Sequence, residues 1–179
     1  MEHPRYALDV IRSWPDVARQ AAHQVLLVHR APHEVASDAL CWIGIGPWER
    51  VVVRAGDPDA DPEEAVEWVV EAVVAAEVPA DRRAAVDEVA AEFRVRIGDG
   101  ELAVFGRDLA SNVVTLNALH ALVTGELTVD EARARRAGDL DLLRSGRSPT
   151  GAETLRFADD APCGEPRLLH AHRLATHAG

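Results

Sequence analysis

The chain has 179 residues and a formal net charge of −11, a length that fits one domain with a substantial core. All 19 cationic side chains are arginine, which excludes a lysine Schiff base, hence ordinary pyridoxal-phosphate chemistry, and the lysine-bearing phosphate loop. No apolar run approaches the ~20 residues of a membrane span, and MEHPRYALDV lacks the basic-then-apolar order of an export signal. A cytoplasmic protein with free thiols at Cys41 and Cys163 is the expectation. The charge is uneven: residues 1–54 sum to zero (six Arg, six acids), 55–131 to −13 (five Arg, eighteen acids) and 132–179 to +2 (eight Arg, six acids). An acidic middle argues against a nucleic-acid surface, which needs clustered cations.

Apolar spacing predicts a helix over 4–12, and Ser13-Trp14-Pro15-Asp16 reads as the start of a second helix running to His29. Residues 40–45 and 49–55 read as strands joined by a Gly46-Pro47 turn. After the polar loop GDPDADP, residues 62–77 read as a buried helix whose Glu63, Glu67 and Glu71 form one wet stripe. A short helix is expected over 81–90. EFRVRI (92–97) alternates strictly and returns through Gly98-Asp99-Gly100 as ELAVF (101–105), a second hairpin. Asp108 or Ser111 opens a helix that closes on Gly125, and Thr128-Val129-Asp130-Glu131 matches a capping box. Helical signal decays beyond Gly138. The sum is an α+β fold: two β-hairpins in one antiparallel sheet of about four strands, with helices packed on it. Residues 1–140 are expected to form the domain and 141–179 a wrapping or partly disordered extension.

Pro32-His33-Glu34-Val35, then Leu40 and Trp42, then Gly46-Pro47-Trp48-Glu49-Arg50-Val51-Val52-Val53 follow one another at telling intervals. This order resembles a family of small bacterial proteins carrying P-D-E-V, L-x-W and G-P-W-K-R-T-V-V. The resemblance resumes at Val78-Pro79, Gly100-Glu101-Leu102, Asn112-(x)4-Asn117 and Val123-Thr124-Gly125, and ends at Thr128-Val129-Asp130-Glu131-Ala132-Arg133. It spans roughly 32–133. The lysine after G-P-W is Glu49 here, an A-R-C strand end is Val104-Phe105-Gly106, and a His-x-Asp has no counterpart at Glu64 to Glu67. No activity is established for the family, so the resemblance implies a fold unit and no reaction.

His29 and His33 have i,i+4 spacing, but Pro32 interrupts any helix that would align them on a metal. His170, His172 and His177 sit in the weakly patterned tail, where adventitious metal pickup outweighs a built site. No metal and no cofactor is expected. Asn112, Asn117 and His120 share the helix after the second hairpin, either as a polar cluster facing a ligand or as a cap and a loop contact. Two readings of function follow. The first is a binding or accessory protein with an apolar cleft rimmed by Trp42, Trp48 and Arg50, with Asn112 and Asn117 nearby, for a small molecule or a protein partner. The second is a small cofactor-independent enzyme of specialised metabolism, with Glu34, Asp38, His33 or His120 as acid–base groups, since a carboxylate beside tryptophan is desolvated. Neither reading involves nucleic acid or a membrane, and association as a homodimer is left open.

Overall fold

Small side chains set the N-terminal layer against the rest of the protein. In the computed structural model, which describes residues 3–56, 69–150 and 154–158, helix α1 (His3–Val10) passes through a 3-10 turn (Ile11–Ser13) into α2 (Asp16–His29). Pro15 holds the N-cap position without a side-chain cap, and Ser13 turns its hydroxyl back to the Val10 carbonyl at 3.1 Å. Ala18, Ala21, Ala22 and Val25 form the buried stripe of α2, at a spacing and with a bulk that let the helix approach the sheet closely.

Among the described residues the sheet has six antiparallel strands in spatial order β1-β2-β3-β4-β6-β5. They are β1 (Glu34–Val35), β2 (Ala39–Ile45), β3 (Trp48–Arg54), β4 (Val70–Ala75), β5 (Val95–Ile97) and β6 (Glu101–Gly106). The two expected hairpins are β2–β3 and β5–β6. The sheet is larger than four strands because β1 and β4 join it.

β4 corrects the helix expected over 62–77. Residues 57–68 lie outside the described residues, and 70–75 form a strand between β3 and β6. Val70, Ala72 and Val74 enter the main core, while Glu71 pairs across with Val52 and Phe105. A strand buried on both sides loses its period-2 signature, so its apolar run imitates a buried helix. The wet stripe is likewise corrected at Glu71, which is 6% exposed.

EFRVRI is split rather than continuous. Helix α3 (Arg83–Phe93) runs into it, and Arg94 takes a left-handed conformation (φ 56°, ψ 54°) that ends the helix before β5 begins. Val86, Val89 and Phe93 satisfy a helical stripe, and all three are fully buried. That stripe prevails over the competing alternation of Phe93 with Val95 and Ile97.

Helix α4 (Leu109–Val123) starts at an Asp108–Ser111 reciprocal cap and closes on Gly125 at φ 77°. Helix α5 (Val129–Arg144) starts at the Thr128–Glu131 capping box and continues well past Gly138, where a Cβ would meet nothing within 4 Å. From residues 154–158, Leu155 and Phe157 pack into the core at a 3-10 turn (Arg156–Ala158). The main cluster joins one face of the sheet to the helices. A smaller cluster on the other face, Ala39, Cys41 and Val52, includes no described helix residue. Among the described residues, no helix is long and apolar enough to cross a membrane.

Candidate functional site

A cleft of about 750 Å³ opens where α2, the β6–α4 junction and α5 meet. Its volume falls in the roughly 300–1,000 Å³ range of small-molecule sites. The β6–α4 junction is rigid for identifiable reasons. The Asp108 carboxylate accepts from the Ser111 backbone N–H at 2.8 Å, and the Ser111 hydroxyl accepts from the Asp108 N–H at 3.3 Å. One residue further, Asn112 is fully buried and donates Nδ2–H to the Val70 carbonyl at 3.1 Å, pinning α4 to the start of β4. Among the described residues its Oδ1 has no hydrogen-bond partner, and it lies against Gly106, where an added Cβ would come within 2.3 Å of it. Glycine at 106 is therefore what admits the carboxamide.

Four arginines line the cleft: Arg94, Arg107, Arg136 and Arg144. Among the described residues, Asp108 is the one acid that lines it, and it is committed to its cap. Arg136 is held in place from two sides: its Nε–H donates to Thr115 Oγ1 at 3.1 Å, and its guanidinium lies 4.7 Å from the Phe93 ring centroid. Burial pulls its pKa below the ordinary arginine value; Glu92 opposes this, and Arg94 and Arg144 add to it. Arg144 pairs with Asp141 at 2.7 Å on the exposed flank of α5. Leu140 and Leu143 supply apolar wall. The Ser111 and Thr115 hydroxyls donate to backbone carbonyls, so the cleft offers cations and apolar surface rather than an activated nucleophile.

On the sheet face that carries the smaller cluster, Glu71 gathers three further arginines. Oε1 accepts from Arg50 at 3.1 Å and from Arg96 at 2.8 Å, and Oε2 lies 3.5 Å from Arg54. Burial raises the Glu71 pKa, and the hydrogen bonds and charges of Arg50 and Arg96 outweigh it, leaving the carboxyl below its ordinary range. Cys41, on the same face, is pushed up to about 11, first by burial and then by the charge of Glu34. It is a protonated, unreactive thiol at neutral pH.

The residues singled out in the sequence are scattered by the fold. Trp42 is fully buried, with its indole N–H on the Arg30 carbonyl at 3.2 Å. Trp48 is 4% exposed and belongs to the main cluster. Its partner in register, Ile45, packs against the same cluster. Both indoles are core, and neither lines the cleft. Asn112 does line it. Asn117 instead clamps the 154–156 segment, donating to the Thr154 carbonyl and accepting from the Arg156 N–H, both at 2.9 Å. His33 accepts the Ile43 N–H on Nδ1 at 3.1 Å, Glu34 pairs with Cys41 in β1, and Asp38 offers its carbonyl to Ala55. His120, edge-on to Phe157 at 4.9 Å, is on α4, which packs on β4 and β6. β4 lies three strands from β1, roughly 14 Å at normal strand spacing, so the fold does not assemble the four acid–base candidates into one group. Among the described residues, no three His, Cys, Asp or Glu side chains form a metal-holding group; the tail histidines lie outside the described residues.

The cleft arginines were not anticipated. The missed signal is the α5 stripe Arg136, Leu140, Leu143, Arg144, at i, i+4, i+7 and i+8, which is legible only once the helix is carried past Gly138. No protein-family model, curated protein or solved structure matches this chain.

Proposed function

We propose that this protein is a binding or accessory protein that takes a small anionic molecule with an apolar or aromatic body in the cleft between α2, α4 and α5. One observation supports this above the rest: among the described residues, four arginines and a single, already capped, aspartate line one cavity of a chain whose net charge is −11. Guanidinium forks pair with carboxylate or phosphate in bidentate geometry, and Leu140 and Leu143 offer surface for the remainder of the ligand. The tryptophan-rimmed cleft of the sequence reading gives way to an arginine-lined one. The cleft's volume favours a small molecule over a protein partner. The acid–base enzyme reading has less support, because His33, Glu34 and Asp38 stand at the β1 edge and His120 on α4.

Calorimetric titration with a panel of aryl and alkyl carboxylates and phosphates tests the reading. At least one class should bind, weaken with added salt, and lose about ten-fold or more in affinity in an R107A/R144A double variant, whose side chains are exposed. Binding that neither salt nor the double variant alters, or no binding across the panel, would overturn it.

A further inference from the structure

We infer that Arg50, Arg54 and Arg96 form a second, separate site on the opposite face of the sheet, organised by Glu71 to bind a phosphate dianion. The three guanidiniums come from two strands, β3 and β5, that flank the β4–β6 pair on either side, and all reach the same carboxylate. One arginine would neutralise Glu71. Three leave a local charge of +2, and among the described residues no other carboxylate is in ion-pair contact with any of them. The next acid along that row of the sheet is Glu34, which pairs with Cys41 two strands away from Arg50 and Arg54.

The geometry distinguishes a template from a ligand. Glu71 is only 7% exposed at its side chain, whereas Arg50, Arg54 and Arg96 are 26%, 48% and 53% exposed. The carboxylate thus lies beneath the guanidiniums and holds each by one nitrogen, leaving their remaining N–H donors, out of five per arginine, available toward solvent. Arg96 is further fixed at 5.3 Å over the Phe105 ring. Converging guanidiniums suit a tetrahedral oxyanion, and a charge of +2 matches a phosphate or phosphate monoester, which carries about −1.5 to −2 at pH 7. None of the three arginines lines the cleft, so this site stands or falls independently of the cleft proposal.

The test is a titration of the full chain with inorganic phosphate and with glycerol 3-phosphate, read on the arginine Nε–Hε resonances. The Arg50, Arg54 and Arg96 signals should shift saturably. An R54A/R96A variant should weaken binding by about ten-fold or more, and R107A/R144A should leave those shifts unchanged. A tighter monoester means that the phosphoryl group arrives on a larger molecule; equal affinities mean free phosphate, and either result supports the site. The charge-preserving R54K/R96K variant serves if the alanine variant misfolds, and it too should bind less tightly because the planar fork is lost. No shift up to about 10 mM ligand, a far weaker affinity than a built site gives, would overturn the proposal. So would affinity unchanged in R54A/R96A or R54K/R96K, or shifts that vanish in the cleft variant.

Discussion

At Glu71 two opposing effects act on one carboxylate: burial favours the protonated form, and Arg50 and Arg96 favour the charged one and prevail. Because the folded-state pKa is depressed, the stabilisation is complete above the unfolded value near 4.3 and is lost as pH falls through the lower folded value. A Glu71→Gln variant should therefore be less stable at pH 7, by roughly 1–3 kcal/mol, with the gap to wild type closing as acid protonates Glu71. Urea unfolding at neutral and acidic pH reads this, and a gap that stays constant with pH counts against it. The same partners explain why no local pattern announces this ion-pair cluster. Arg50 and Arg96 are 21 and 25 positions from Glu71, and only the register of four strands brings them together. Gly106 and Asn112 make a second pair of this kind. Gly106→Ala would drive a Cβ against Asn112 Oδ1 and should cost about 1–3 kcal/mol. In an Asn112→Ala background most of that cost should disappear, since the obstructing oxygen is gone; additive losses in the double-mutant cycle would argue against the contact.

Elements differed in legibility according to how many of their signals agreed. α4 and α5 announce their starts through Asp108–Ser111 and Thr128–Glu131, and both reciprocal caps are present. Thr128→Ala should accordingly lower stability by about 1 kcal/mol in denaturant unfolding, and a change within error would show that the cap is redundant there. Where α5 ends was harder to read, because Gly138 and a mixed DLDLLR offer no clean stop or stripe until Arg136 is seen facing the cleft. β4 and the α3–β5 junction misled for another reason. VEAVVA is apolar toward both sheet faces apart from one ion-paired acid, and Phe93 fits two periods at once. Tertiary burial decides such cases, and a one-dimensional pattern holds no record of it.

For the whole molecule, charge is distributed in a way that counting along the chain obscures. The segment from 55 to 131 is strongly acidic, yet it supplies Arg94, Arg96 and Arg107. Arg50 and Arg54 come from the neutral segment before it, and Arg136 and Arg144 from the basic one after it. The α+β class and both hairpins could be read from local patterning. The two arginine clusters could not, since each is assembled from segments far apart in the chain. The strand order has a consequence for how the protein is made. β4 pairs with β6, not with β5, so its second edge stays open until residues 101–106 arrive. At a ribosome adding roughly 5–20 residues per second, that valine-rich edge waits a second or more for its neighbour. During that interval the nascent chain presents a half-built sheet to whatever else in the cell can add a strand.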